Sequence, residues 1–172
     1  MNALKNNYTI EKYYLKDNGT FPNSSLPVLL YKNVLQLGIL PFSTIRRLFR
    51  LNNWTNSWKN GIYNYHHYHS ITHEVLGVYR GKTTLLLGGA DGVKIEIEKG
   101  DVLIIPAGVA HKNLESQDQI KCVGAYPQGK DYDMNYGRIE ERPQTDRNIK
   151  KVPTPNKDPV FGQDGGIKNY WL

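Results

Sequence analysis

The chain carries one cysteine and two methionines among 172 residues. It has no apolar run approaching the ~18 residues that a membrane helix needs. Each absence excludes something. Cys122 alone cannot build a disulfide framework and suits a reducing compartment. Lying in an apparent strand at 119–126, it reads as a packed core thiol rather than a nucleophile. The opening residues, MNALKNNYTIEKYYLKD, lack the apolar core of a signal peptide, so the expectation is a soluble, cytoplasmic protein with no membrane contact. The net charge is +6, yet Lys and Arg are scattered, with clusters only at Arg46, Arg47 and Arg50 and at Lys150 and Lys151. A nucleic-acid footprint gathers basic residues on one face among aromatic platforms, so nucleic acid is not the expected partner. No Gly-rich phosphate loop occurs. The length fits one domain over 1–172, enough to bury roughly two thirds of the unfolded surface.

What is present is concentrated in residues 61–81, GIYNYHHYHSITHEVLGVYRG. Four of the five histidines, His66, His67, His69 and His73, fall here beside Glu74. Residues two apart on a strand share a face, which places Tyr63, Tyr65, His67 and His69 together and lets His67 and His69 chelate one ion. Glu74 has the wrong parity for an unbroken strand, so residues 70–73 must bend before it can rejoin that face. His66 points away from His67, and His73 shares the His69 side only if the strand runs on unbroken; both remain alternative ligands. A second stretch, GDVLIIPAGVAH at 100–111, reads as a buried strand over 102–105, a stopping turn at 106–108, and His111 entering the next strand.

Gly61, five residues, His67, one, His69, four, Glu74, six, Gly81 resembles the first motif of the cupin superfamily at every fixed position. Gly100, five residues, Pro106, one, Gly108, two, His111 resembles the second. The closing Asn of that motif is replaced by Glu115, with Asn113 two residues early. The motifs span residues 61–115, about a third of the chain, and the flanks resemble small bacterial single-domain cupins of the YjlB-like group. The resemblance implies an all-β double-stranded β-helix, or jelly-roll barrel. Its cavity would hold one divalent metal ion on His67, His69, Glu74 and His111.

The rest of the chain is read around that barrel, whose core is expected at about 58–127. Residues 1–57 form an N-terminal arm or edge strand and one short helix near 43–53, with Ser43 as its cap. Ile45, Leu48 and Phe49 make its apolar stripe, and the arginines its solvated face. Trp54 and Trp58 lead into the first motif and pack the barrel end or floor its cavity. Strands are expected at 75–79, 83–87 and 93–98, with a turn at 80–82 and with Val93, Ile95 and Ile97 facing the core. Beyond Tyr126 the prolines and glycines multiply. The irregular C-terminal tail, 128–172, still holds Ile139, Ile149, Val152, Val160, Phe161, Ile167, Tyr170 and Trp171, enough to pack on the barrel or on the partner of a homodimer.

Three imidazoles and one carboxylate suit Fe, Mn, Ni, Zn or Cu, and affinity alone does not choose among them. The expected function is that of a metalloenzyme, dioxygenase-like or otherwise Lewis-acidic, on a small soluble molecule. The alternative is a non-catalytic binding or sensor protein in which the metal is structural or bridges a ligand. Tyr63 and Tyr65, by parity, and Arg80, as a residue following Glu74 on the inward side, are the candidate substrate contacts. Neither motif contains an obvious acid–base partner, which favours oxygen or Lewis-acid chemistry over acid–base isomerisation.

Overall fold

The computed structural model describes residues 3–172. It is built on antiparallel strands, as an all-β reading requires. In chain order these are β1 (Thr9–Leu15), β2 (Ser24–Lys32), helix α1 (Pro41–Leu51), β3 (Trp54–Asn60), β4 (Glu74–Leu87), β5 (Val93–Glu98), β6 (Val102–Ile105), β7 (His111–Asn113) and β8 (Ile120–Pro127). Two short helices follow, α2 (Gln144–Ile149) and α3 (Gly166–Tyr170). Among the described residues no helix is long and apolar enough to cross a membrane.

β4 is the hinge of the architecture. Its first half pairs with β6 and β8, in the sheet ordered β1-β2-β6-β4-β8-β3, and its second half pairs with β5 and β7. The expected break at 80–82 is therefore no chain reversal. The strand continues through a register shift between Val78 and Arg80, and a bulge of this kind bends a strand without ending it. Alternation along it sorts side chains into two buried layers. Leu76 and Val78 join Ile105, Ile120 and Cys122 inside the barrel, while Val75 joins Val102, Ile104, Val123 and Ala125 on the outer face. Cys122 is a buried free thiol, as its strand position suggested, and burial pushes it well above the usual thiol range.

Several expectations need correction. The N-terminal segment is more than an arm: β2 lies between β1 and β6 with Val28, Leu29, Leu30 and Tyr31 wholly buried. The barrel thus draws on strands N-terminal to 58. Residues 54–60 form a strand paired with β8 rather than a lead-in. The helix begins at Pro41, after Leu40, with no side-chain cap from Ser43. Proline at the first helical position already has a helical φ and has no amide of its own to leave unpaired. Val93 is 39% exposed, because it opens β5 at the turn, whereas Ile95 and Ile97 are buried as expected.

The tail packs on this same chain. Asp158, itself buried, accepts hydrogen bonds from the Val160 and Phe161 amides and from the Tyr31 hydroxyl. The Trp171 indole donates to the Pro27 carbonyl, and that of Trp54 to Lys157. Val160, Ile167 and Trp171 are buried, but Ile139 is 94% exposed.

Helix α1 sits on the outer face of β4 at one point of close approach. A β-carbon on Gly77 would stand 2.7 Å from the Ile45 side chain and 2.9 Å from the Phe49 ring. Gly77→Ala therefore forces the two buried anchors of the helix outward. The expected loss is ~1–3 kcal/mol, read from urea unfolding midpoints; an unchanged midpoint would mean that α1 is not seated there.

Candidate metal centre

Residues 61–73 form no regular strand, yet single bridges hold them in place. The His67 backbone pairs with His111 in both directions, that of Tyr68 with Asn135, and the Gly108 amide donates to the His69 carbonyl. Alternation survives this irregularity. His67 and His69 face the barrel cavity, while Tyr68 turns outward to Phe21 and His66 packs on the same Phe21 ring at 5.3 Å. Residues 70–73 bend as expected, and Glu74 opens β4 pointing inward. His111 opens β7 opposite Leu87.

One ring nitrogen from each of His67, His69 and His111 lies within 4.8 Å of the others, all buried. Glu74 joins them through Oε2, 3.4 Å from Nε2 of His69 and 3.5 Å from Nε2 of His111. The opposite edges of the rings settle their tautomers. Nδ1 of His67 donates to the Tyr65 carbonyl at 3.1 Å, Nδ1 of His111 to Val109 at 3.1 Å, and Nδ1 of His69 to Asp133 at 2.5 Å. A carbonyl can only accept, so each Nδ1 carries a hydrogen and each neutral ring presents a lone pair at Nε2. Without a metal ion among them, only a second proton on one ring, such as that of His69, gives the Glu74 carboxylate a partner of opposite sign.

The electrostatics register the same conflict. Burial first, and His111 second, push the His67 imidazole down to about 3. At His69 and Glu74 burial disfavours charge, but their mutual attraction outweighs it. The imidazole is held above its ordinary value and the carboxyl below. The carboxylate stays ionised in an almost dry site because a positive partner faces it, a protonated imidazole or a metal ion in that proton's place. The donor set thus fits a divalent metal, with His67, His69, His111 and Glu74 to hold it.

The remaining sequence candidates divide. His73 is not part of the cluster: its Nδ1 accepts the Ala107 amide, its ring lies 4.8 Å from that of Trp171, and burial lowers it to about 4. Tyr63 lines a cavity of about 180 Å³ beside the cluster. Tyr65 does not line it; it stacks on Tyr63 at 4.9 Å and is 42% exposed. Arg80 is exposed and away from the cavity, because the shift after Val78 breaks the parity that put it inward. Glu115 is exposed and accepts from Thr84, while the buried Asn113 holds Thr83, the Glu115 amide and the Ile62 carbonyl. Asn113 thus ties the end of β7 to its neighbours where the motif's Asn is replaced.

Of the groups that complete the wall, the sequence pointed only to Trp58, one of the two tryptophans offered as a floor of the cavity; the others were missed. Trp58 and Tyr126 come from β3 and β8, Tyr132 and Met134 from the tail. Asp133 supplies the carbonyl that orients His69, and its carboxylate accepts the Ser70 amide and hydroxyl and the Asn135 side chain.

Compared with models of known protein families, the chain matches none. It is 36% identical, over 94% of its length and 96% of the other's, to the uncharacterized protein YjlB of Bacillus subtilis. The chain belongs to the YjlB family. Among solved structures it is similar to acireductone dioxygenase from Bacillus anthracis, which holds a cadmium ion in its active center (14% identity, 75% of this chain and 83% of the other, TM-score 0.42). It is also similar to a DUF861 family protein from Thermotoga maritima (27%, 46% and 85%, TM-score 0.31). A third is the epimerase RmlC from Legionella pneumophila (9%, 72% and 73%, TM-score 0.36).

Removing the Asp133 carboxylate tests the tail's part in this site. Asp133→Ala leaves the Ser70 amide and hydroxyl without their acceptor, at an expected cost of ~1–3 kcal/mol in chemical unfolding. A variant as stable as wild type would show that the tail does not anchor this loop.

Proposed function

We propose that this YjlB-family protein is a divalent-metal enzyme whose metal is held by His67, His69, His111 and Glu74, and whose substrate is a small molecule entering the adjoining cavity. The observation that carries the reading is the convergence of three imidazole lone pairs and one carboxylate oxygen on a point beside that cavity. A metal that merely stabilised the barrel would call for a site enclosed on every side. An ion accepting more ligands than these residues supply keeps a place for water, oxygen or substrate, and would act there as a Lewis acid or a carrier for oxygen chemistry.

The chain's own residues supply position and environment. The three backbone carbonyls fix the imidazole rings so that little reorganisation accompanies binding. Tyr126, Trp58 and Tyr132 present aromatic surface to whatever sits beside the metal, and exclude water from one flank. Leu76 and Ile62 close the floor with apolar atoms. Asn60 stands among the lining groups and offers its side-chain amide to an oxygen-bearing ligand, whereas the Lys59 ammonium lies over the Phe42 ring of α1. Burial together with the Glu74 charge holds the Tyr126 phenol neutral, well above the usual tyrosine range, so it serves as a hydrogen-bond donor and not as a base.

Elemental analysis of tag-free protein, followed by oxygen-uptake assays with catechols, keto-acids and thiols, tests this reading. A stoichiometric transition metal with uptake or turnover supports it. A tightly held metal with no turnover would favour the binding or sensor protein. His67→Ala and His111→Ala are expected to lose most of the metal, while His66→Ala, whose ring packs on Phe21, keeps it. Full loading of His111→Ala would contradict the ligand set.

A further inference from the structure

The ligand set accounts for one oxygen of Glu74. The other belongs to a chain of hydrogen bonds that crosses the cavity wall. The Trp58 indole N–H donates to the Tyr126 hydroxyl at 2.8 Å, and an indole nitrogen can only donate. The phenol oxygen is therefore the acceptor there. Its own hydrogen goes to Oε1 of Glu74 at 3.2 Å, while Oε2 faces His69 and His111. The two carboxylate oxygens thus have different partners before any ion arrives.

This chain is built into the sheet. Trp58 stands directly opposite Gly124 in the β3–β8 register. A β-carbon on Gly124 would lie 2.0 Å from Cε2 and 2.4 Å from Nε1 of the indole, so only glycine lets the ring lie flat across β8. Glycine inside a strand weakens it and often marks a close approach of this kind. On its other side the Tyr126 ring stacks on Tyr132, centroids 4.9 Å apart and planes 21° from parallel. The phenol is thus fixed by the indole, the neighbouring ring and the carboxylate.

We propose that Tyr126 is a positioning residue that holds Glu74 to single-oxygen contact with the bound cation and thereby keeps a coordination place open, facing the cavity, to a small anion. The inference rests on the metal centre proposed above. A carboxylate freed from the phenol can rotate and offer both oxygens to the ion. The second oxygen then takes the place that an incoming ligand would use. Tyr126 and the berth at Gly124 therefore act through Glu74, not on the substrate.

The test uses Co(II)-reconstituted full-length protein, its visible absorption spectrum, and titration with azide. Wild type should take up Co(II) and change its visible bands on adding azide. Tyr126→Phe should bind Co(II) about as tightly as wild type, show weaker visible bands because the coordination number has risen, and bind azide about tenfold more weakly, at the lower end of what loss of a ligand-orienting partner costs. Trp58→Phe, which frees the phenol without removing it, should move both readouts the same way by less. If Tyr126→Phe keeps the wild-type spectrum and azide affinity, or if it loses Co(II) altogether, Tyr126 does not play this part. Wild-type protein that takes up no Co(II) contradicts the metal centre itself, a result separate from unchanged spectra in a loaded variant.

Discussion

Three histidine rings whose Nδ1 hydrogens are already committed to backbone carbonyls turn their remaining nitrogens toward one point, where those of His69 and His111 meet an ionised carboxylate. That arrangement is unfavourable in an interior of low dielectric unless a positive charge sits at its centre. Much of the architecture makes sense as the means of enforcing it. The carbonyls belong to Tyr65, Val109 and Asp133, on three separate segments, so no local change of conformation relaxes all three rings together. β4 begins at Glu74 because its first residue must be fixed by β6 while its side chain faces inward.

The tail has a larger part than its low regularity suggests. It orients His69 through the Asp133 carbonyl, and it lays Tyr132 against Tyr126. Further along, Asp158 gathers amides from its own turn and the Tyr31 hydroxyl, and Trp171 reaches back to Pro27. The final forty-odd residues are thus tied to the outer face of the sheet at one end and form part of the cavity wall at the other. Burial of Ile167 and Trp171 supplies the apolar side of that attachment, at roughly 25 cal/mol for each Å² removed from water.

Much of this was legible in the residues, for reasons of local geometry. His67 and His69 share a face even where the strand fails, because alternation follows from extended backbone and needs no neighbouring strand. Glu74 lies past a bend that its parity demanded, and His111 follows a turn that proline and glycine announce. The helix was legible through Ile45 and Phe49, but its start was not, since Pro41, whose φ is already helical, opens it two residues before the cap that Ser43 seemed to offer. Arg80 was misplaced because a bulge inside a long strand leaves no compositional mark and inverts every side chain beyond it. Trp58 was legible as a candidate floor of the cavity, but its meeting with Tyr126 was hidden for a different reason. They meet only through the pairing register of two strands far apart in sequence, and that register is a property of the whole sheet. Gly124, opposite Trp58, was the one local hint.

The central claim is that these four side chains surround a single cation, and X-ray absorption at the metal edge of zinc-loaded protein tests it most directly. The expected spectrum shows a shell of nitrogen and oxygen at about 2.0–2.1 Å, with the multiple-scattering pattern of imidazole fitted by three rings. A shell of oxygens alone, without imidazole scattering, would contradict it.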